Sequence, residues 1–196
     1  MVDVPAHPLR TAPALHHLGP WTFEDLALLP DDGNSYEIDG GSLVVSPPPD
    51  LLHGDTGADL LTQLRTQAPA DLAVIEGAGV RGDNGYRIPD LAVVSRALVR
   101  REARYAEPGD VRLVVEVVSP GSALADRVTK RALYAEWGIP LYWIVAIRPG
   151  LLLTVLELRD AAYEVTGEHR SGRLSLAPPS APYPLGLDLD RLRDGG

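Results

Sequence analysis

A chain of 196 residues, 45% apolar and 23% charged, has ordinary globular composition and is long enough for one domain with a sizeable core. It contains no cysteine, which excludes a disulfide framework, a thiolate zinc site and a cysteine nucleophile, and gives secretion no support. Its formal net charge of −9 argues against a protein held on nucleic acid by its overall field, because phosphate neutralisation drives such binding. Any such contact must use a local patch.

Residues 1–20 are rich in Pro, His and Ala without periodicity and are expected to form a loose arm, leaving residues 21–196 as one domain. Pro5, His7 and Pro8 interrupt the start too early for a secretory leader. No stretch approaches the ~20 apolar residues that span a bilayer, so the expected location is cytoplasmic, without membrane contact. Thr22 suits the N-cap of a helix over Phe23 to Leu29, stopped by Pro30. Tyr36 to Val45 predicts a β-hairpin with Asp-Gly chemistry at its turn, ended by Pro47-Pro48-Pro49. Leu60, Leu61 and Leu64 give the stretch from Leu51 to about Gln67 helical spacing.

Leu72 to Glu76 and Arg87 to Ser95 read as strands joined through the turn Gly82-Asp83-Asn84-Gly85. Val111 to Ser119 is the most apolar strand and is expected to be central. A helix over Ala123 to Trp137 follows, stopped by Gly138 and Pro140, then strands over Leu141 to Ile147 and Leu151 to Leu158. From Arg170 onward the chain is Pro-rich and is expected to run over the surface. The order predicts an α/β fold, one mixed β-sheet flanked by helices.

Charged residues that intrude on apolar elements locate the chemistry. Glu116 interrupts Val111 to Val118, and alternation places it with Val114 and Val118, opposite Leu113, Val115 and Val117. A carboxylate in a doubly buried strand is costly unless paired or bound to metal. Arg112, four residues back on the same face, is one candidate partner. Asp90 opens the apolar run Leu91 to Val94 directly after Pro89 and, alone, would pass for a turn or cap residue. Together, two carboxylates on adjacent strands suit a hard cation such as Mg²⁺.

Of the 18 basic residues only Lys130 is a lysine, which raises the question of what an arginine could not do there. At ~100° per residue it shares a helix stripe with Asp126, Leu133, Tyr134 and Trp137, rather than the face of Arg127 and Arg131. It could act on water or phosphate there, or simply pair with Asp126 at i, i+4. Arg96, Arg100, Arg101 and Arg104 form the densest basic cluster, read either as a solvated face or as a nucleic-acid rim.

Pro89-Asp90 followed by Glu116-Val117-Val118 resembles the PD-(D/E)XK signature of restriction-endonuclease-like nucleases, with Val118 where the lysine is usual. From Trp21 to about Leu189 the chain is similar to the bacterial Uma-two family of that superfamily. The matching stretches are Tyr36 to Gly40, Pro89 to Leu91, Val115 to Pro120, Lys130 to Tyr134 and Gly138 to Trp143. Gly41 and Ala146 depart from it, each where an acidic residue is common.

The resemblance implies a metal-dependent endonuclease acting on DNA, with Asp90 and Glu116 holding Mg²⁺ or Mn²⁺ and Lys130 taking over the signature lysine's work. It also implies roles for Glu37 and His53, which from the residues alone would be a solvated hairpin glutamate and a local hydrogen-bonding histidine. Glu37 is expected to hold a second ion or orient the first, His53 to carry a proton or contact phosphate, and Tyr134 to hydrogen-bond within the site. DNA is the expected partner, with a homodimer and a separate targeting partner as further ones. The alternative is a catalytically silent module that keeps the fold for nucleic-acid or protein contact.

Overall fold

The computed structural model describes residues 19–118 and 125–194, so most of the expected N-terminal arm lies outside it. A short 3-10 helix, Glu24–Leu28, stands in place of the expected helix over Phe23–Leu29, and Thr22 does not cap it. The Thr22 N–H and hydroxyl instead donate to Asp25 Oδ2 at 2.8 and 2.6 Å. No residue of this helix is buried, so it has no core-facing stripe to extend it. The expected hairpin forms from β1 (Ser35–Asp39) and β2 (Ser42–Ser46), with Gly40 and Gly41 at φ 52° and 81° in its turn. Helix α1 (Leu51–Gln67) is capped by Asp50, whose side chain accepts from the His53 N–H at 2.9 Å.

After β3 (Leu72–Glu76), β4 (Val80–Gly82) and β5 (Gly85–Arg87) form a hairpin around Asp83-Asn84. This hairpin joins β1, giving a small sheet of order β2-β1-β5-β4. The expected strand from Arg87 to Ser95 is therefore split. The chain leaves the small sheet at Arg87, crosses through Ile88-Pro89-Asp90, and enters a second sheet as β6 (Leu91–Ser95). Pro89 has no N–H to give a ladder, which suits it to the crossing.

Next come α2 (Arg96–Arg100), the long strand β7 (Val111–Val118), a π-helical turn (Ala125–Lys130) and α3 (Arg131–Glu136). Three more strands follow, β8 (Leu141–Ala146), β9 (Leu152–Arg159) and β10 (Ala162–His169), the last unanticipated. The main sheet runs β10-β9-β8-β7-β6-β3. Within it β7 and β8 are parallel and the other neighbours antiparallel. Leu60 and Leu64 of α1 pack with Leu113, Val115 and Val117 on one face. Tyr134 and Ala135 of α3 pack with Val114 and Val118 on the other. The mixed sheet flanked by helices is thus observed, and β7 is central.

The segment after Arg170 corrects the expectation of a surface tail. It folds as a ribbon, β11 (Arg173–Leu176) with β12 (Leu185–Asp188), followed by α4 (Leu189–Asp194). Ala181, Tyr183, Leu185, Leu187, Leu189 and Leu192 are buried against the α1 face. The side chains of Gln63 and Gln67 hold the β12 backbone at Asp188 and Gly186, in each case as donor and acceptor. No described helix is long and apolar enough to cross a membrane.

The arginine cluster lies outside the lining of the cleft described below. Arg96 and Arg100 lie on α2, after the C-terminal end of β6, whereas Asp90 precedes its N-terminal end. Five residues of strand separate the two ends by roughly 15 Å. Arg96 donates to the Leu72 carbonyl at 2.9 Å and Arg101 lies 3.6 Å from Asp110.

Candidate active site

The β6–β7 ladder pairs Ala92 with Val114 and Leu91 with Val115; one step further, Asp90 stands opposite Glu116. The ladder opens there because β6 begins only after the crossing. Asp90 Oδ2 accepts the Val117 N–H at 2.6 Å, which turns its carboxylate onto β7. Glu116 is 3% exposed. Its burial is tolerable because Lys130 Nζ lies 2.9 Å from Oε1 and the Tyr134 hydroxyl donates to the same oxygen at 2.8 Å. Arg112, the candidate partner on sequence grounds, is exposed and lies by the Gly109 carbonyl instead.

Lys130 closes the π-helical turn at the point where the α-helix resumes. Such turns shift the phase of a helix by one residue and recur at functional sites. The expected stripe survives in the pair that matters, since Lys130 and Tyr134 both face β7. The side chain of Asp126, the alternative partner of Lys130, lies outside the described residues. Burial, and then the Glu116 charge, push the Tyr134 phenol well above its usual range, so it stays a donor.

His53 Nε2 lies 3.2 Å from Asp90 Oδ2. The hydrogen bond to Asp90 raises the His53 pKa, against the lowering effect of burial. Glu37 is buried on β1, where Oε1 accepts the Ile88 N–H at 2.6 Å. Its other oxygen is 3.6 Å from Arg87 Nη1, and Arg87 Nη2 is 3.0 Å from Asp39 Oδ1. Glu37, His53, Asp90, Glu116 and Lys130 therefore line one cleft of about 660 Å³. Arg87 and Asp39 line it too, although neither was singled out from sequence. The available signals were an arginine just before Pro-Asp, and an acidic residue two places after Glu37 on the same strand face.

Among the described residues, no three His, Asp or Glu side chains converge as a ready cation cage. Asp90 and Glu116 nevertheless give an all-oxygen pair facing each other across one strand gap. A hard divalent ion that keeps several waters needs only one or two protein carboxylates, so this donor set fits Mg²⁺ or Mn²⁺.

A mixed sheet with helices on both faces, carrying a carboxylate pair and a lysine at its mouth, makes this an α/β protein with a candidate catalytic cleft. The chain belongs to the Uma2 family, whose model, described as "Putative restriction endonuclease", matches residues 22–190. The fold is also similar to a solved structure described as "a putative nuclease belonging to DUF820 from Anabaena variabilis". That likeness has a TM-score of 0.69 and 14% sequence identity, and it covers 90% of this chain and 99% of that chain. At that identity it is a likeness of fold. No curated protein matches.

Proposed function

We propose that the protein is a metal-dependent endonuclease that hydrolyses phosphodiester bonds of DNA, with Asp90 and Glu116 holding Mg²⁺ or Mn²⁺. The observation that carries this reading is Lys130 Nζ at 2.9 Å from Glu116 Oε1, in the cleft that also contains Asp90. An ion at this pair would offset phosphoryl charge and acidify the attacking water. Lys130 then orients that water and stabilises charge growing on the phosphoryl oxygens, as a compact ammonium with three donors. Tyr134 keeps Glu116 Oε1 from turning away. The Val117 N–H and His53 fix Asp90 in the same sense. His53, beside Asp90, would contact phosphate or carry a proton to the departing oxygen. In the overall step, a water oxygen adds to phosphorus and gives up one proton to solvent, one P–O ester bond breaks, and the departing alkoxide takes up a proton. Target choice would fall to a homodimer or to a separate targeting partner.

The test is nicking of supercoiled plasmid with Mg²⁺ or Mn²⁺, by wild type and by Asp90→Asn. Cleavage by wild type alone, abolished by chelator, supports the reading. One observation favours a second reading, a catalytically silent binding module: the net charge is −9, and none of the clustered arginines lines the cleft. Metal-independent binding of DNA or of a protein, with every DNA form left intact, would establish that reading instead.

A further inference from the structure

The cleft contains a second pair of carboxylates, Glu37 and Asp39, two residues apart on β1. Between them lies Arg87, whose side chain is only 3% exposed. The β1–β5 register pairs Asp39 with Gly85 and Ile38 with Tyr86; one step further, Glu37 stands opposite Arg87. The two halves of the cleft are thus alike in plan. Each has a carboxylate facing its partner across an opened ladder, one in each sheet, and the three-residue crossing from Arg87 to Asp90 joins them.

They differ in what their oxygens already hold. Glu37 gives Oε1 to the Ile88 N–H at 2.6 Å and Oε2 to the Arg87 guanidinium at 3.6 Å. Asp90 has only Oδ2 engaged, by the Val117 N–H and His53, and Oδ1 has no hydrogen bond among the described residues. The cations differ as well. Lys130 is a compact ammonium on a flexible stem with 15% of its side chain exposed, so it can shift as an ion enters. Arg87 is packed in place, and a guanidinium cannot give up its proton to lower its charge. A divalent ion beside it would meet a fixed like charge at close range.

We propose that Arg87 is the built-in cation of the Glu37–Asp39 half of the cleft, so the cleft takes up one divalent ion, at Asp90 and Glu116. Glu37 is then a positioning residue. Held by Arg87, its carboxylate carries the Ile88 N–H at 2.6 Å and so anchors the first half of the crossing that delivers Asp90 to Glu116, while the Gly77 N–H holds the Asp90 carbonyl at 3.1 Å. This inference rests on the Asp90–Glu116 pair as the ion's seat, and it assigns Glu37 away from a second ion.

The experiment counts Mn²⁺ on the full chain by calorimetric titration, for wild type, Asp90→Asn, Glu37→Gln and Glu37→Ala, with circular dichroism to confirm folding. The expected wild-type result is one ion per chain, lost in Asp90→Asn. Glu37→Gln still offers an oxygen to the Ile88 N–H and should keep one ion at close to wild-type affinity. Glu37→Ala removes that acceptor and should weaken binding about 10–100-fold, the usual cost of losing a supporting partner. If Glu37→Ala does not fold, wild-type binding by Glu37→Gln supports the proposal by itself. Two ions on wild type falling to one in Glu37→Gln would overturn the proposal while leaving the Asp90–Glu116 seat intact. Equal loss in the Gln and Ala variants would also overturn it, because the acceptor for the Ile88 N–H, which Gln retains, would then not be what Glu37 supplies. No Mn²⁺ on wild type would overturn both this inference and the metal-dependent reading beneath it.

Discussion

Lys130 and Tyr134, four residues apart, both donate to a single atom, Glu116 Oε1, at 2.9 and 2.8 Å. The carboxylate they hold is nearly inaccessible to solvent, so protein contacts, these two donors among them, set its orientation rather than water. The two contacts should nevertheless separate cleanly in variants, because one donor is charged and lines the cleft while the other is a buried phenol.

Lys130→Arg keeps the positive charge but replaces a compact ammonium with a longer planar head that cannot sit in the same place beside Glu116. Cleavage should fall by about 10²–10³, the usual loss when one electrostatic stabiliser is removed. Stability should change little, since arginine still neutralises the carboxylate. Lys130→Ala should cost more, though less than the roughly 3–5 kcal/mol of a fully buried broken pair, because Tyr134 still bonds Glu116. Plasmid nicking beside melting curves checks both. Equal activity in wild type and Lys130→Arg would reduce Lys130 to a neutralising cation.

Tyr134→Phe removes one hydrogen bond from Glu116 and leaves the aromatic packing against Tyr142 in place. A hydrogen bond to a charged group contributes about 1.5–3 kcal/mol, so urea unfolding should show a loss in that range. Activity should survive at a reduced level, because Lys130 and Asp90 are untouched. A variant as stable as wild type would mean that Glu116 gains nothing from the phenol.

The Asp90–Glu116 seat can be tested without turnover. An ion that binds only the folded chain stabilises it by about 2.7 kcal/mol at a hundred times its Kd. For a chain of this length that corresponds to a Tm rise of about 5–10 °C. Wild type should show that rise with Mn²⁺, and Asp90→Asn and Glu116→Gln should not. An equal rise in all three would place the ion elsewhere.

Asp90, Glu116 and Lys130 were legible because each breaks a local pattern. Two are carboxylates beside or within apolar runs, and the third is the only lysine in a chain of arginines. Arg87 and Asp39 were not, since their significance depends on β1 pairing with β5, a contact between strands far apart in sequence. The split of the expected strand at Arg87 was hidden for the same reason: Pro89 marked a strand start but not a change of sheet. Glu37 and His53 came only through the family resemblance, and the structure brings both to the cleft. In β10, only Tyr163 is buried, so it lacked the apolar alternation of the other strands.

The most instructive miss is the C-terminal segment. From Ala181 to Leu189 every odd residue is buried, namely Ala181, Tyr183, Leu185, Leu187 and Leu189, a strict period of two. Pro182 and Pro184 occupy even positions and gave the stretch the look of a surface tail. Proline is tolerated there because both lie before β12 begins at Leu185, where no ladder N–H is lost. The segment therefore completes the α1-side core, and its leucines should behave as core residues. Leu187→Ala, at a site 1% exposed, should cost about 2–5 kcal/mol, as buried leucine truncations do. The control is Leu28→Ala on the N-terminal 3-10 helix, where Leu28 is 74% exposed and the change should stay within about 0.5 kcal/mol. Thermal melts followed by circular dichroism measure both under one set of conditions. If Leu187→Ala proved as mild as Leu28→Ala, the surface-tail expectation would stand and the ribbon would contribute nothing to the fold.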